Sequence, residues 1–305
     1  MGRLVISLAV LVTLTFAMIH LIPGDPVRAA LGPRAPQSVV DVRKHQLYLD
    51  RPLPQQYAHY VKGVVTGDLG TSIVSNLPVS QVIGDRLPNT AQLVGISFLV
   101  IMAVAVPFGV LGAVVTREGR LARSSELVFV SGTSVLAMIP EFVLGVALVY
   151  VFAVTLGWLP VAGRSGPESF VLPVAALSIG SIAALARIVR VEMLRVLDED
   201  YMRTARSKRL PARLIYIRHA LPNMLTATLT IGGLVLAGLT GGTILVETVF
   251  AWPGLGTTVV QSVVQEDYSL AQAVLLLLGF AVLIINLVVD LTLGLLDPRS
   301  TIKEA

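Results

Sequence analysis

The residues that could do chemistry in this chain are few, and most fail on spacing. ATP hydrolysis would need a lysine inside Gly-x-x-x-x-Gly-Lys-Ser/Thr. Lys44 follows Arg43, Lys62 follows Val61, Lys208 follows Ser207 and Lys303 follows Ile302, so no P-loop is present. His20, His45, His59 and His219 are scattered without metal-ligand spacing, and there is no cysteine. No Ser/His/Asp set shares a plausible site, so catalytic, cofactor-binding and metal residues are all expected to be absent. Coupling to protons or sodium would use intramembrane acids, and Glu141, Glu247 and Asp290 are the candidates. Glu247 falls near the outer end of one apolar run and Asp290 toward the inner end of another. That separation in depth makes no relay, and each acid is read as a conduit-facing or structural group. The remaining concentration of charge is Asp198–Asn223, DEDYMRTARSKRLPARLIYIRHALPN.

The elements that position these residues are membrane helices. The chain is 54% hydrophobic and 14% charged, where a soluble domain carries nearer a quarter charged. Runs long enough for a bilayer, about 20 residues, fall at 4–22, 90–115, 127–156, 170–185, 225–250 and 270–296. These predict an all-α protein with six transmembrane helices. The first is read as a retained helix, because Ile22-Pro23-Gly24-Asp25-Pro26 is a poor cleavage site. Pro107 is expected to bend the second span, and Pro140 with Glu141 interrupts the third. Bases concentrate at Arg117, Arg120, Arg123 and along 187–218, which places those loops and both termini in the cytoplasm. The segment 23–87 then faces outward, with a helical rhythm over 55–65 that puts Tyr57, Tyr60, Val61 and Val64 on one face.

Within the charged stretch, acids precede bases, which suits a short helix and its macrodipole. Pro211 stops that helix and opens a second, in which Leu214, Ile217 and Leu221 share one face, and Pro222 is expected to end it. The run lacks interleaved aromatics, so it is not read as a nucleic-acid surface.

The order of residues in this stretch resembles the EAA loop of bacterial ABC-importer permeases. Arg203, Thr204 and Ala205 occupy the Glu-Ala-Ala triplet, which commonly reads Arg-Thr-Ala in the peptide-importer branch, and Leu221-Pro222 match its Leu-Pro. Arg209 stands where the pattern has glycine and His219 where it has isoleucine. The turn at Arg209 is expected to avoid positive φ, with Pro211 fixing the chain. Further phrases resemble the same family: Pro23-Gly24-Asp25-Pro26, Asp50–Tyr57, Gly67–Ser72, Arg86–Thr90, Glu247–Gly256, Asp267-Tyr268 and Asp297-Pro298-Arg299.

The chain thus looks like the first permease of a dipeptide/oligopeptide/nickel-type ABC importer. That resemblance implies a type I (MetI-like) permease fold with an EAA coupling loop in the plasma (inner) membrane. It implies a division into an N-terminal helix plus extracytoplasmic segment (1–87), a permease core (88–297) and a cytoplasmic tail (298–305). The implied partners are a second permease subunit, two cytoplasmic ATP-binding domains, an extracytoplasmic substrate-binding protein and the lipid bilayer. The implied solute is a short peptide, with nickel or haem as rivals inside the family. The small-residue stretch 232–243 suits a weakly binding wall, although packing alone explains its Gly233, Ala237 and Gly241. An ion-coupled secondary transporter or channel working without an ATPase is the alternative from another class.

Overall fold

A computed structural model describes residues 2–21, 25–32, 34–117 and 122–296. Arg120, Pro23-Gly24, Asp297-Pro298-Arg299 and the tail lie outside these residues. The described chain is helical, with a single isolated bridge between Thr71 and Pro78. In order it forms α1 (Gly2–Leu21), α2 (Pro26–Leu31), α3 (Gln37–Gln46), α4 (Leu53–Thr66), α5 (Val79–Arg117), α6 (Ala122–Met138) and α7 (Glu141–Leu148). Then come α8 (Val171–Leu197), α9 (Asp200–Ser207), α10 (Ala212–Leu214), α11 (Leu221–Val249), α12 (Leu255–Val264) and α13 (Tyr268–Leu296). Wider π-helical turns continue α7 through Val149–Thr155 and join α10 to α11 through Ile215–Ala220.

Five helices are long and apolar enough to cross a bilayer, and α6 with α7 makes a sixth if counted as one span. That pair is bent by 90° at Pro140. Proline alone does not decide such a break, since Pro88 and Pro107 both lie inside the single 39-residue helix α5. Two boundaries differ from the sequence expectation. Helix α5 starts at Val79 rather than 90, and α8 continues past 185 to Leu197. The reason for the second is pairing. Arg187 donates to Ser134 Oγ at 2.8 Å, and buried Arg190 donates to Thr116 Oγ1 at 2.8 Å and Glu126 Oε1 at 2.7 Å. Bases with such partners can extend a helix beyond its apolar window, so 187–197 is helix and not loop. The segment 250–269 also contains a helix, α12, because Leu255 and Val259 have a core to enter.

The chain divides into two compact units. The first comprises residues 1–92 and 243–284. Its apolar core gathers Val79, Ile83, Leu255, Val259, Leu270 and Val274. Helix α2 is capped by Asp25, whose carboxylate accepts from Val27 N–H and Arg28 N–H. Helix α4 lies along α1, where Tyr57 and Tyr60 share hydrogen bonds of 3.0 Å with Thr13 and Thr15. Asp267 ties the 72–74 loop to the start of α13, accepting from Ser72 Oγ and from the N–H groups of Ile73 (3.1 Å), Val74 (3.4 Å) and Leu270 (3.3 Å).

The second unit comprises residues 93–242 and 285–305. Helix α8 is its most buried span. Two glycines of α5 set the approach of its neighbours: a side chain at Gly109 would meet Val189, and one at Gly112 would meet Phe129. Gly233 of α11 plays the same part against Val289. Gly238 and Gly241 instead have open space beside them.

Candidate functional site

The charged stretch folds as one short helix, α9, followed by the helical segment that leads into α11, set against the end of α8. Glu199 is extended and precedes α9, and Met202 N–H donates back to its carbonyl at 3.0 Å. Met202 and Ala205 turn inward and are buried, while Arg203 and Thr204 face out. Arg203 sits 3.4 Å from Asp200, but both side chains are exposed, so the pair contributes little. Partial burial, with Glu199 beside it, pushes the Tyr201 phenol up, which keeps it a neutral hydroxyl.

Two guanidinium groups secure the end of α8. Arg206 donates to Leu197 O at 2.6 Å, and Arg117 donates to the same carbonyl at 3.4 Å and to Asp198 Oδ1 at 2.9 Å. Cations at a helix C-terminus satisfy carbonyls that have no intrahelical partner and oppose the macrodipole. Neither residue was singled out for this role in the sequence, because a basic run does not tell which of its cations turns back.

Arg209 has φ of 51°, so the turn is left-handed, contrary to the sequence expectation. Leu210 precedes Pro211 and is biased to extended backbone. The reversal therefore falls on Arg209, whose N–H donates to Arg206 O at 2.8 Å. A left-handed L-residue costs about 1–2 kcal/mol, partly offset by the larger chain entropy of glycine. Arg209→Gly should stabilise the protein by up to about 1 kcal/mol, read as a raised unfolding temperature of the purified complex. An unchanged or lowered temperature would contradict strain at this turn.

The second helix also departs from expectation. Pro222 does not end it, since α10, the π-helical turn and α11 run on continuously. The wide turn at Ile215–Ala220 adapts the backbone just before a residue that lacks an N–H. It also reorders the faces. Ile215 and Ala220 are buried, Leu214 and Leu221 are half-buried, and Ile217 is 55% exposed, so the apolar seam is not the one helical spacing indicates.

The three acids have separate settings. Glu247 is fully buried and accepts from Thr90 Oγ1 (2.6 Å), Gly256 N–H (2.7 Å) and Thr257 N–H (3.2 Å). Thr90 Oγ1 in turn accepts from Leu255 N–H at 2.8 Å. Asp290 is exposed on α13. Glu141 opens α7 directly after the break, with its carboxylate against Gly242. Among the described residues no group of three or more His, Cys, Asp or Glu could hold a metal ion.

Long apolar helices, a broken span and a charged helical segment define a polytopic membrane protein. The chain belongs to the family of binding-protein-dependent transport system inner membrane components, whose model matches residues 105–302. The N-terminal model of the same transport systems matches residues 1–94. It is thus an ABC-importer permease and a multi-pass inner-membrane protein. It is 40% identical over 303 residues to a glutathione transport system permease protein, GsiC, of Pectobacterium atrosepticum, covering 98% of this chain and 96% of that one. The Escherichia coli K12 protein of the same name is 39% identical over 300 residues, with the same coverage. Among solved structures, the inward-facing MetNI methionine ABC transporter matches with a TM-score of 0.61 at 20% identity, over 72% of this chain and 98% of that chain. That likeness shows the MetI-like fold.

Proposed function

We propose that this chain is one of two permeases of an ATP-driven importer of short peptides and forms half of the solute conduit. The observation that carries the reading is the identity of about two residues in five to glutathione permeases along almost the whole chain. Glutathione is a tripeptide, which supports a peptide over nickel or haem. The lack of a metal-binding cluster among the described residues is consistent with this. A second permease, two cytoplasmic ATP-binding domains and an extracytoplasmic binding protein complete the system. The loop 198–223, with Arg203, Thr204, Ala205, Arg209, Leu221 and Pro222, couples the permease to an ATPase. ATP-driven closure of the ATPases moves α9 and rocks the spans between outward-open and inward-open states. The segment 1–87 contributes the first span and an extracytoplasmic portion, 88–297 is the permease core, and 298–305 is a cytoplasmic tail, with both termini in the cytoplasm.

Uptake of labelled glutathione and di- to tetrapeptides, beside nickel, in cells with and without this subunit tests the reading. Peptide uptake should fall to background on deletion. Loss of nickel uptake with peptide uptake untouched would overturn it. In the same cells a cysteine placed at Ser207 is expected to resist labelling from outside, against a background with no native cysteine. Labelling from outside would overturn the orientation.

A further inference from the structure

Glu141 is a membrane acid that is partly buried yet left unmatched by the described residues of its own chain. It is half-buried, and no hydrogen bond or ion pair reaches it among the described residues. An acid within a span faces the bundle interior, a water-filled cavity or a cationic partner, because lipid solvates a carboxylate poorly. The Glu141 carboxylate packs against Gly242 of α11, in space that a side chain there would occupy.

The break adds further negative potential. Pro140 has no N–H to donate, and Ile139 N–H reaches Leu136 O at a long 3.4 Å. The carbonyls of Leu136 and Ile139 lie toward Gly180 of α8, 3.6 and 4.0 Å from where its side chain would begin. Carbonyls at a helix C-terminus carry negative potential; here they face α8, while the Glu141 carboxylate faces α11. Beside Gly242, the exposed Gly238 and Gly241 leave α11 open.

We propose that Glu141 is a station on the solute path that holds the protonated α-amino group of the passing peptide. An ammonium brings three donors, and a carboxylate can accept more than one of them. One acid gives a contact strong enough to favour entry and weak enough to permit release. This rests on the peptide reading above and names the chemical group recognised.

The test uses the whole complex in vesicles, with loaded binding protein and a labelled tripeptide bearing a free α-amino group. Glu141→Gln keeps the shape and removes the charge, and is expected to cut peptide carried per ATP hydrolysed at least tenfold. Glu141→Asp keeps the charge and is expected to stay within about threefold of the unchanged protein. Co-purification of the second permease and ATP hydrolysis stimulated by the binding protein should be the same in all three. Transport by Glu141→Gln at the unchanged rate would overturn the proposal. So would equal loss in the Asp and Gln variants, which marks a packing role, or loss of the second permease from Glu141→Gln, which marks a subunit contact. If the unchanged complex carries no peptide, the peptide reading itself fails, and this proposal with it.

Discussion

Glu247→Ala is expected to remove most of the folded protein from the membrane. The carboxylate has no exposed surface, and it is the common acceptor for a threonine hydroxyl and two backbone N–H groups at the start of α12. Alanine would leave all three donors without their acceptor, two of them in buried bonds and the third, Thr257 N–H, in a part-buried one. Each buried unsatisfied group costs about 1–3 kcal/mol. A combined loss of roughly 3–5 kcal/mol is a large part of the 5–15 kcal/mol that typically holds a domain folded. Gly254 and Gly256 lie against the carboxylate, and neither has a side chain to fill the space it would leave. Glu247→Gln retains an acceptor oxygen for the backbone and should recover part of the loss. The measurement is full-length protein in the membrane fraction together with its unfolding temperature in detergent. An alanine variant as abundant and as heat-resistant as the unchanged protein would refute the structural role.

Ile217→Asp is expected to leave the permease in the membrane at normal level and to cost at least tenfold in ATPase association. Ile217 is 55% exposed, and Arg213 and Arg218 on either side of it in sequence are exposed too. An exposed apolar side chain framed by cations suits a docking contact, and loss of a central contact costs more than about 1–2 kcal/mol; tenfold corresponds to about 1.4 kcal/mol. The comparison variant is Ala205→Glu. Ala205 is only 8% exposed, so a charge there should disturb the packing of α9 and lower the amount of protein as well. Co-purification of the ATPase and stimulated ATP hydrolysis distinguish the two. Normal association and hydrolysis in Ile217→Asp would remove this residue from the docking surface and weaken the assignment of the loop.

Much of this protein follows from sequence because a bilayer permits so few solutions. Uninterrupted apolar runs must become helices, since lipid offers no partner to backbone groups, and α1, α5, α11 and α13 follow from length and hydropathy. The ordered phrases from Arg203 to Pro222 and from Glu247 to Gly256 likewise carried the family. Tertiary structure decided what depends on neighbours distant in the chain. Pro140 breaks a span whereas Pro107 does not, although both follow apolar runs. Arg209 takes a left-handed turn because the chain must reverse just before Pro211. A π-helical turn exchanges Ile217 for Ile215 on the buried face, which a pattern of ideal helical turns does not register. Glu247 and Glu141 look alike in sequence, each an acid in an apolar run. Their difference is that three donors converge on one from Thr90 and the start of α12, whereas the other meets a glycine and has no donor among the described residues.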